Sequence, residues 1–296
     1  MTQYVFQQVI NGLALGSLYA LLAIGFSMIY GIVRLINFAH GDLVMIGGFA
    51  TLALVSAGVP WPVILVFVLC VGAMAGIAIE TVVFRPMRGA DQVTGFIATL
   101  AVSIAIQNST LMALSGQPRN FSFPAFMRQR IDIAGSSASL TDLTIIGLTL
   151  LLIGGLFLIV YRTKMGQAMR ATAENLTAAR LMGVAVNRTI MTAFAIGSAL
   201  AAVAGLFWGG KFGQIDPLMG FEPGLKAFVA CVIGGVGSIG GAMLGGYILG
   251  LAEILFVGLL PQEYSGYRDT FVFLLLIVIL LVRPSGLFIR QTEERA

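Results

Sequence analysis

The 296-residue chain is 58% hydrophobic and only 10% charged, with a net charge of +4. A soluble domain carries about 25% charged residues, so the shortfall excludes a water-solvated globule and leaves an all-α polytopic membrane protein. The positive surplus is spread over loops and no basic patch alternates with aromatics, so it reports membrane orientation and excludes nucleic acid as a partner.

The first apolar run, about Val5 to Tyr30, is long enough to cross a bilayer at roughly 20 residues per crossing. It lacks a basic start and leads straight into more membrane, so it reads as a span and not as a cleavable leader. Gly12, Gly16, Ser17 and Gly25 give it a small-residue face for helix contact. The polar segment Gly31 to Asp42 follows, then a second span of about Leu43 to Ala57 containing Gly47 and Gly48. Pro60 and Pro62 bracket a turn, and a third span covers about Pro62 to Phe84. Arg85, Arg88 and Asp91 mark a charged loop before a fourth span of about Val93 to Leu114. Ser115 to Asp142 is the longest stretch outside the membrane.

A fifth span, about Leu143 to Tyr161, delivers the chain to a polar island, Tyr161 to Arg188, holding Arg162, Lys164, Arg170, Glu174, Arg180 and Arg188. Good helix formers fill its centre and Gly183 is a natural stop, which predicts a short surface helix. A sixth span covers about Thr189 to Gly209. The tract Gly224 to Gly258 is too long for one 30 Å crossing at about 1.5 Å per residue. Two crossings are predicted to meet at Gly234-Gly-Val-Gly-Ser-Ile-Gly-Gly241, a Gly-broken pair of helices. The last span is about Thr270 to Val282. The total is about eight to nine crossings. The positive-inside rule puts the loops of Arg85 and Arg88, the island, and Arg283, Arg290 and Arg295 on the cytoplasmic side, with the N-terminus outside. Arg119, Arg128 and Arg130 then fall outside, against the rule.

Self-similarity suggests a candidate inverted repeat. Ala14-Leu-Gly-Ser17 resembles Ala195-Ile-Gly-Ser198, and Ala20, Ala23 and Phe26 match Ala201, Ala204 and Phe207. Met45-Ile-Gly-Gly48 resembles Val232-Ile-Gly-Gly235. Predicted directions are opposite in the two halves, a plan that places a substrate route between the repeats near Gly-interrupted segments. The chain then divides as 1–115 for the first repeat, 116–188 for the outer loop, linker span and cytoplasmic helix, and 189–296 for the second repeat.

Several motifs are weighed and set aside. Gly205 to Phe212 fits the start of a phosphate-binding loop, but Phe212 stands where Ser or Thr would hold magnesium, and Lys211 reads as a snorkelling end group. Gly235 to Gly240 matches a dinucleotide fingerprint without the strand and helix that motif needs. His40 is the only histidine, and no Cys, His and carboxylate cluster completes a metal site or a catalytic constellation, so none is predicted. His40 with Asn37 and Asp42 makes a polar cluster that reads either as a helix-start or interface cluster or, for Asn37 and His40, as part of the route or its gate. Gly47, Gly48, Gly234, Gly235, Gly237, Ser238 and Gly240 read either as packing or as route lining. Glu253 lies in an apolar run and pairs, carries a proton or faces a cavity; Glu80 reads as snorkelling. Cys70 and Cys231 read as small core residues.

The island sequence Arg170-Ala-Thr-Ala-Glu-Asn-x-x-Ala-Ala-Arg-Leu-Met-Gly183 resembles the cytoplasmic coupling loop of bacterial ABC importers. With Asn37-Phe-Ala-His-Gly41 and Gly234 to Gly241, the whole chain resembles the shorter permease subunit of branched-chain amino-acid importers, the LivH type. It shows no long N-terminal extension of the kind found in the companion permease or in urea-type relatives. The resemblance implies a multi-pass protein of the bacterial inner membrane, paired with a second homologous permease, two cytoplasmic ATPases and a periplasmic solute-binding protein. ATP-Mg would sit on the ATPases and no cofactor on this chain. Gly166, Arg170, Glu174, Asn175, Ala179, Arg180 and Gly183 would form the ATPase-coupling site. An apolar face of Met169, Leu176, Ala179 and Met182 would seat in the ATPase. Arg119, Arg128, Arg130, Glu222 and Lys226 are expected to face the binding protein. Urea, amides or other small polar solutes remain an alternative cargo, and a secondary transporter or channel an alternative class.

Overall fold

The computed structural model describes residues 2–133 and 136–288. Seven helical segments among them are long and apolar enough to cross a bilayer. The approximate crossing number expected from the sequence exceeds this because two further apolar helices are short. Helix α1 (Thr2–Val33) ends at Arg34, whose φ of 56° is the left-handed conformation that commonly stops a helix. An extended turn and one 3₁₀ turn (Phe38–His40) lead into α2 (Asp42–Ser56). Helices α3 (Trp61–Ile79) and α4 (Gln92–Leu114) follow, joined through a π-helical turn at Glu80–Phe84. Helix α5 (Leu140–Arg162) precedes two short helices, α6 (Lys164–Glu174) and α7 (Leu176–Leu181). Helices α8 (Val186–Phe212), α9 (Phe221–Gly234), α10 (Ile239–Leu259) and α11 (Arg268–Val282) complete the bundle. Arg290 and Arg295 lie outside the described residues.

The 115–142 stretch is not wholly irregular. It forms a hairpin of β2 (Arg130–Ile133) and β3 (Ser136–Ser139). A two-residue strand β1 (Arg119–Asn120) pairs antiparallel with β4 (Gln214–Ile215), tying the segment after α4 to the one after α8.

Helices α1 and α8 form the buried centre, and small residues set how close their neighbours come. A side chain at Gly250 would overlap Gly16, and one at Gly246 would overlap Ala20, so α10 lies directly on the α1 backbone. A side chain at Gly76 would likewise overlap Ser198, and one at Gly72 would meet Ala202, so α3 lies on α8 in the same manner. These are the two most extensive helix pairs in the molecule. The matched tetrapeptides at 14–17 and 195–198 each lie at one of these close crossings, Gly16 against Gly250 and Ser198 against Gly76. The second match has no shared place: Gly47 and Gly48 are inside α2 against Ala202 and Met219, whereas Gly234 and Gly235 end α9.

Helix α9 is 14 residues long, about 21 Å at 1.5 Å per residue, too short to cross a bilayer alone. The 224–258 tract is thus a half-length helix followed by a full one, with the turn at 235–238 between them. Gly235 (φ 107°) and Gly237 (φ 88°) supply the positive dihedrals of that turn, and Ser238 Oγ caps α10 by accepting from Gly241 N at 3.1 Å.

Three single-residue expectations change. Cys231 is buried, but Cys70 is exposed on the outer face of α3. Glu80 does not snorkel: it is buried, and Arg88 turns in to pair with it while also holding Asn187 at the start of α8. Lys211 likewise is paired, 2.5 Å from Asp142 Oδ1 at the head of α5.

Candidate functional site

The island is helical for local reasons. Thr163 Oγ1 caps α6 by accepting from Gly166 N at 3.1 Å. Asn175 interrupts the run because its extended backbone and its Oδ1, which accepts from Ala178 N at 2.9 Å, start a new helix there. Gly183 (φ 82°) ends α7, with Val184 N donating to Ala179 O at 3.0 Å. The pair is an elbow, not the single helix expected.

The elbow is fastened to the bundle. A side chain at Gly166 would overlap the carbonyl oxygens of Ile159 and Val160, so α6 crosses the end of α5 at backbone contact. Arg170 donates to Val160 O and lies over the Tyr161 ring, 5.2 Å from its centroid. A cation suits the carbonyl end of a helix. Arg170 thus points back at its own chain. The expected docking face also changes: Met169 and Ala179 are buried and Leu176 is half-buried, while Leu181 and Met182 are each 84% exposed. Glu174, Asn175 and Arg180 are exposed beside them.

On the same face, Gly237 and Ser238 border a cleft of about 340 Å³ with Gly31, Tyr161 and Arg170. A second cleft, of about 630 Å³, adds Arg34 and Glu174 to the Gly237–Ser238 wall. Gly234 and Gly241 are absorbed in the close contact of α9 with α10, and Gly240 only touches Phe157 at 3.9 Å. Gly47 and Gly48 likewise serve the packing of α2.

Asn37 and His40 do come together with a third region. They line a cavity of about 20 Å³, room for about one water, with Asp42, Gly220, Gly224 and Phe228. A side chain at Gly220 would overlap the Gly41 carbonyl, and one at Gly224 would come within 2.8 Å of Gly41 Cα. The breaks before α2 and before α9 therefore touch backbone to backbone. Gln107 Nε2 donates to Asp42 Oδ1 at 2.8 Å, but Asp42 Oδ2, the Asn37 amide and the His40 ring nitrogens are buried without a partner of good geometry. Each such group costs about 1–3 kcal/mol when unpaired. The point where the two breaks meet is thus closed, polar and unsatisfied inside an apolar bundle. Gly220 was not singled out from the sequence, whereas Gly41 and Gly224 lie in stretches that were; the glycine before Pro223 was the available signal for it.

Among the described residues no cluster of three metal-ligating side chains exists. The Gly205–Phe212 stretch is the end of α8, where a side chain at Gly205 would overlap the Val44 carbonyl, so it packs on α2 and cradles nothing.

The family described as branched-chain amino acid transport system / permease component matches residues 8–282. The high-affinity branched-chain amino acid transport system permease protein LivH of Escherichia coli K12 is 40% identical over 99% of this chain and 98% of its own length. The corresponding BraD protein of Pseudomonas aeruginosa is 38% identical over 98% of this chain and 97% of its own. A probable LivH permease of Methanocaldococcus jannaschii is 30% identical over 92% of this chain and 88% of its own. No solved structure matches the chain. With the family matched over residues 8–282 and LivH 40% identical over nearly the full length of both chains, this multi-pass membrane protein belongs to the branched-chain amino acid transport system permease family.

Proposed function

We propose that the chain is the permease subunit of an ATP-driven importer for branched-chain or related amino acids in the bacterial inner membrane. Two separate ATPases, a second homologous permease and a periplasmic binding protein complete the assembly. The observation that carries this reading is the α6–α7 elbow: a rigidly anchored element that offers Leu181 and Met182 outward, ringed by Glu174, Asn175 and Arg180. An exposed apolar tip on a fixed stem fits a groove on another protein better than a lipid surface, because it lacks the basic face of an interfacial helix. Closure of an ATPase pair would push the elbow, and Gly166 and Arg170 would pass the push to α5.

The moving parts would be two inverted halves, residues 1–115 and 189–296, joined by 116–188. Their break points at Gly41 and Gly220 form the closed contact, and clefts open on both faces of the bundle. Rocking would part the glycines and offer Asn37, His40 and Asp42 to a polar solute, as alternating access requires. The test is uptake of labelled leucine by proteoliposomes. The full assembly should accumulate it only with ATP and binding protein. Ion-driven or passive flux through this chain alone would overturn the proposal.

A further inference from the structure

The largest concentration of charge among the described residues belongs neither to the elbow nor to the Gly41–Gly220 contact. Glu253 of α10 is fully buried. Its Oε1 lies 3.0 Å from Lys226 Nζ and 2.7 Å from Arg268 Nε, and its Oε2 accepts from Tyr19 Oη at 2.8 Å. Lys226, also buried, is 2.6 Å from Glu222 Oε1 and 2.8 Å from Asp269 Oδ1. Arg268 Nη2 reaches Glu222 Oε1 at 3.2 Å. Buried ion clusters rarely stabilise more than apolar packing of the same shape, so this one invites a reason beyond holding four helices together.

The cluster has a deep end and an open end. Lys226 and Glu253 are sealed, whereas the side chains of Glu222 and Arg268 are 51% and 31% exposed. Both border a cleft of about 430 Å³ walled by Trp208, Phe212, Leu218 and Met219. That volume falls in the roughly 300–1,000 Å³ range of small-molecule sites. Phe212 ends α8, whose other end adjoins the α6–α7 elbow, so the cleft opens at the opposite end of α8 from the coupling element. On the cleft wall the Glu222 carboxylate and the Arg268 guanidinium stand side by side, held from beneath by buried counter-charges and flanked by aromatic and aliphatic walls, with the exposed Asp269 carboxylate behind Arg268 at 3.8 Å. A free α-amino acid presents the same pattern inverted, an ammonium beside a carboxylate with an apolar branch. A sugar brings no charge to either group; a plain amine or a plain acid would engage one.

We propose that Glu222 and Arg268 form an entrance subsite that takes a free α-amino acid by both ends, its aliphatic side chain lying against Trp208 and Leu218. The subsite deepens the proposed function and rests on it. It receives solute on the face remote from the elbow before the Gly41–Gly220 contact opens. Lys226 and Glu253 act as positioning residues that fix the open pair.

Trp208 is one of two tryptophans, so Trp61→Phe leaves a single tryptophan, on the cleft wall, to be excited selectively. The full-length chain in lipid nanodiscs is titrated with leucine, isovalerate and isoamylamine. Leucine should change Trp208 emission saturably, and each one-ended analogue should bind at least tenfold more weakly. Glu222→Gln should weaken leucine at least tenfold while leaving isovalerate unchanged, a split that general loosening of the fold would not produce. Arg268→Lys should retain part of the leucine response, since the charge stays and the fork is lost. Equal responses to all three ligands, or none to leucine, would overturn the subsite. ATP-driven leucine uptake by the full assembly with no Trp208 response would sink the subsite and leave the proposed function standing. A saturable leucine response in an assembly that imports no amino acid would support the subsite and sink the proposed function instead.

Discussion

At the scale of single residues, glycine decides which helices touch. Gly47, Gly76, Gly205 and Gly250 each sit where a Cβ would strike a neighbouring backbone or side chain, while Gly154 and Gly155 on α5 face open space. Overpacking costs about 1–3 kcal/mol and more where backbone must yield. Gly76→Val should therefore lower the thermal stability of the detergent-solubilised chain, and Gly154→Val should not, when both are followed by size-exclusion after heating. Charge at Glu253 is a second residue-scale matter. Lys226→Met removes one of the two cations beside a fully buried carboxylate, and breaking such a pair costs about 3–5 kcal/mol. The double variant Lys226→Met/Glu253→Gln should regain part of that loss in the same assay; no recovery would mean the two residues are not coupled. Lys226 and Glu253 were visible in the sequence as charges inside apolar runs, and Glu222 stands four residues before Lys226 as a helix partner would. The assignment of Lys226 to an exposed docking loop was wrong because α9 turns it inward.

Among the elements, the α6–α7 elbow shows how far local sequence reaches. Helix formers and a stop glycine are local signals, and the helix lies where they predict it. The break at Asn175 is also local, a capping side chain competing with the helix interior. Which face looks inward is not local. It depends on α5 ending beneath Gly166 and on the bundle covering Met169. Leu181→Asp/Met182→Asp should cut ATP-driven uptake at least tenfold with normal membrane insertion and thermal stability. Met169→Asp should instead lose the folded protein, as burial of an unpaired charge requires. Equal, mild effects from both variants would argue against a docking role for the exposed pair. Helix α9 carries a similar lesson. Its apolar composition reads as a full crossing, but the chain has only 14 residues between Gly220 and Gly235.

For the whole molecule, the contact between the two breaks is the feature on which transport would turn. Gly220→Val places atoms where the Gly41 carbonyl lies, and Gly224→Ala is a milder intrusion at Gly41 Cα. If the closed contact seals the route, Gly220→Val in the full assembly should raise ATP-independent leucine efflux from loaded proteoliposomes, with Gly224→Ala intermediate. Unchanged efflux from a folded Gly220→Val assembly would move the seal elsewhere.

The sequence by itself determined the membrane class, the position of nearly every helix and the family, because hydropathy, caps and breaker glycines act within one or two turns of chain. Only the tertiary structure decided that Gly41 meets Gly220, that Arg170 turns back on α5, and that Tyr19 reaches Glu253 across 234 residues. Such contacts have no local signature. In a bundle whose helices are apolar on most faces, hydropathy cannot say which face meets a neighbour and which meets lipid. Close packing of small residues and the need to pair each buried charge make that choice.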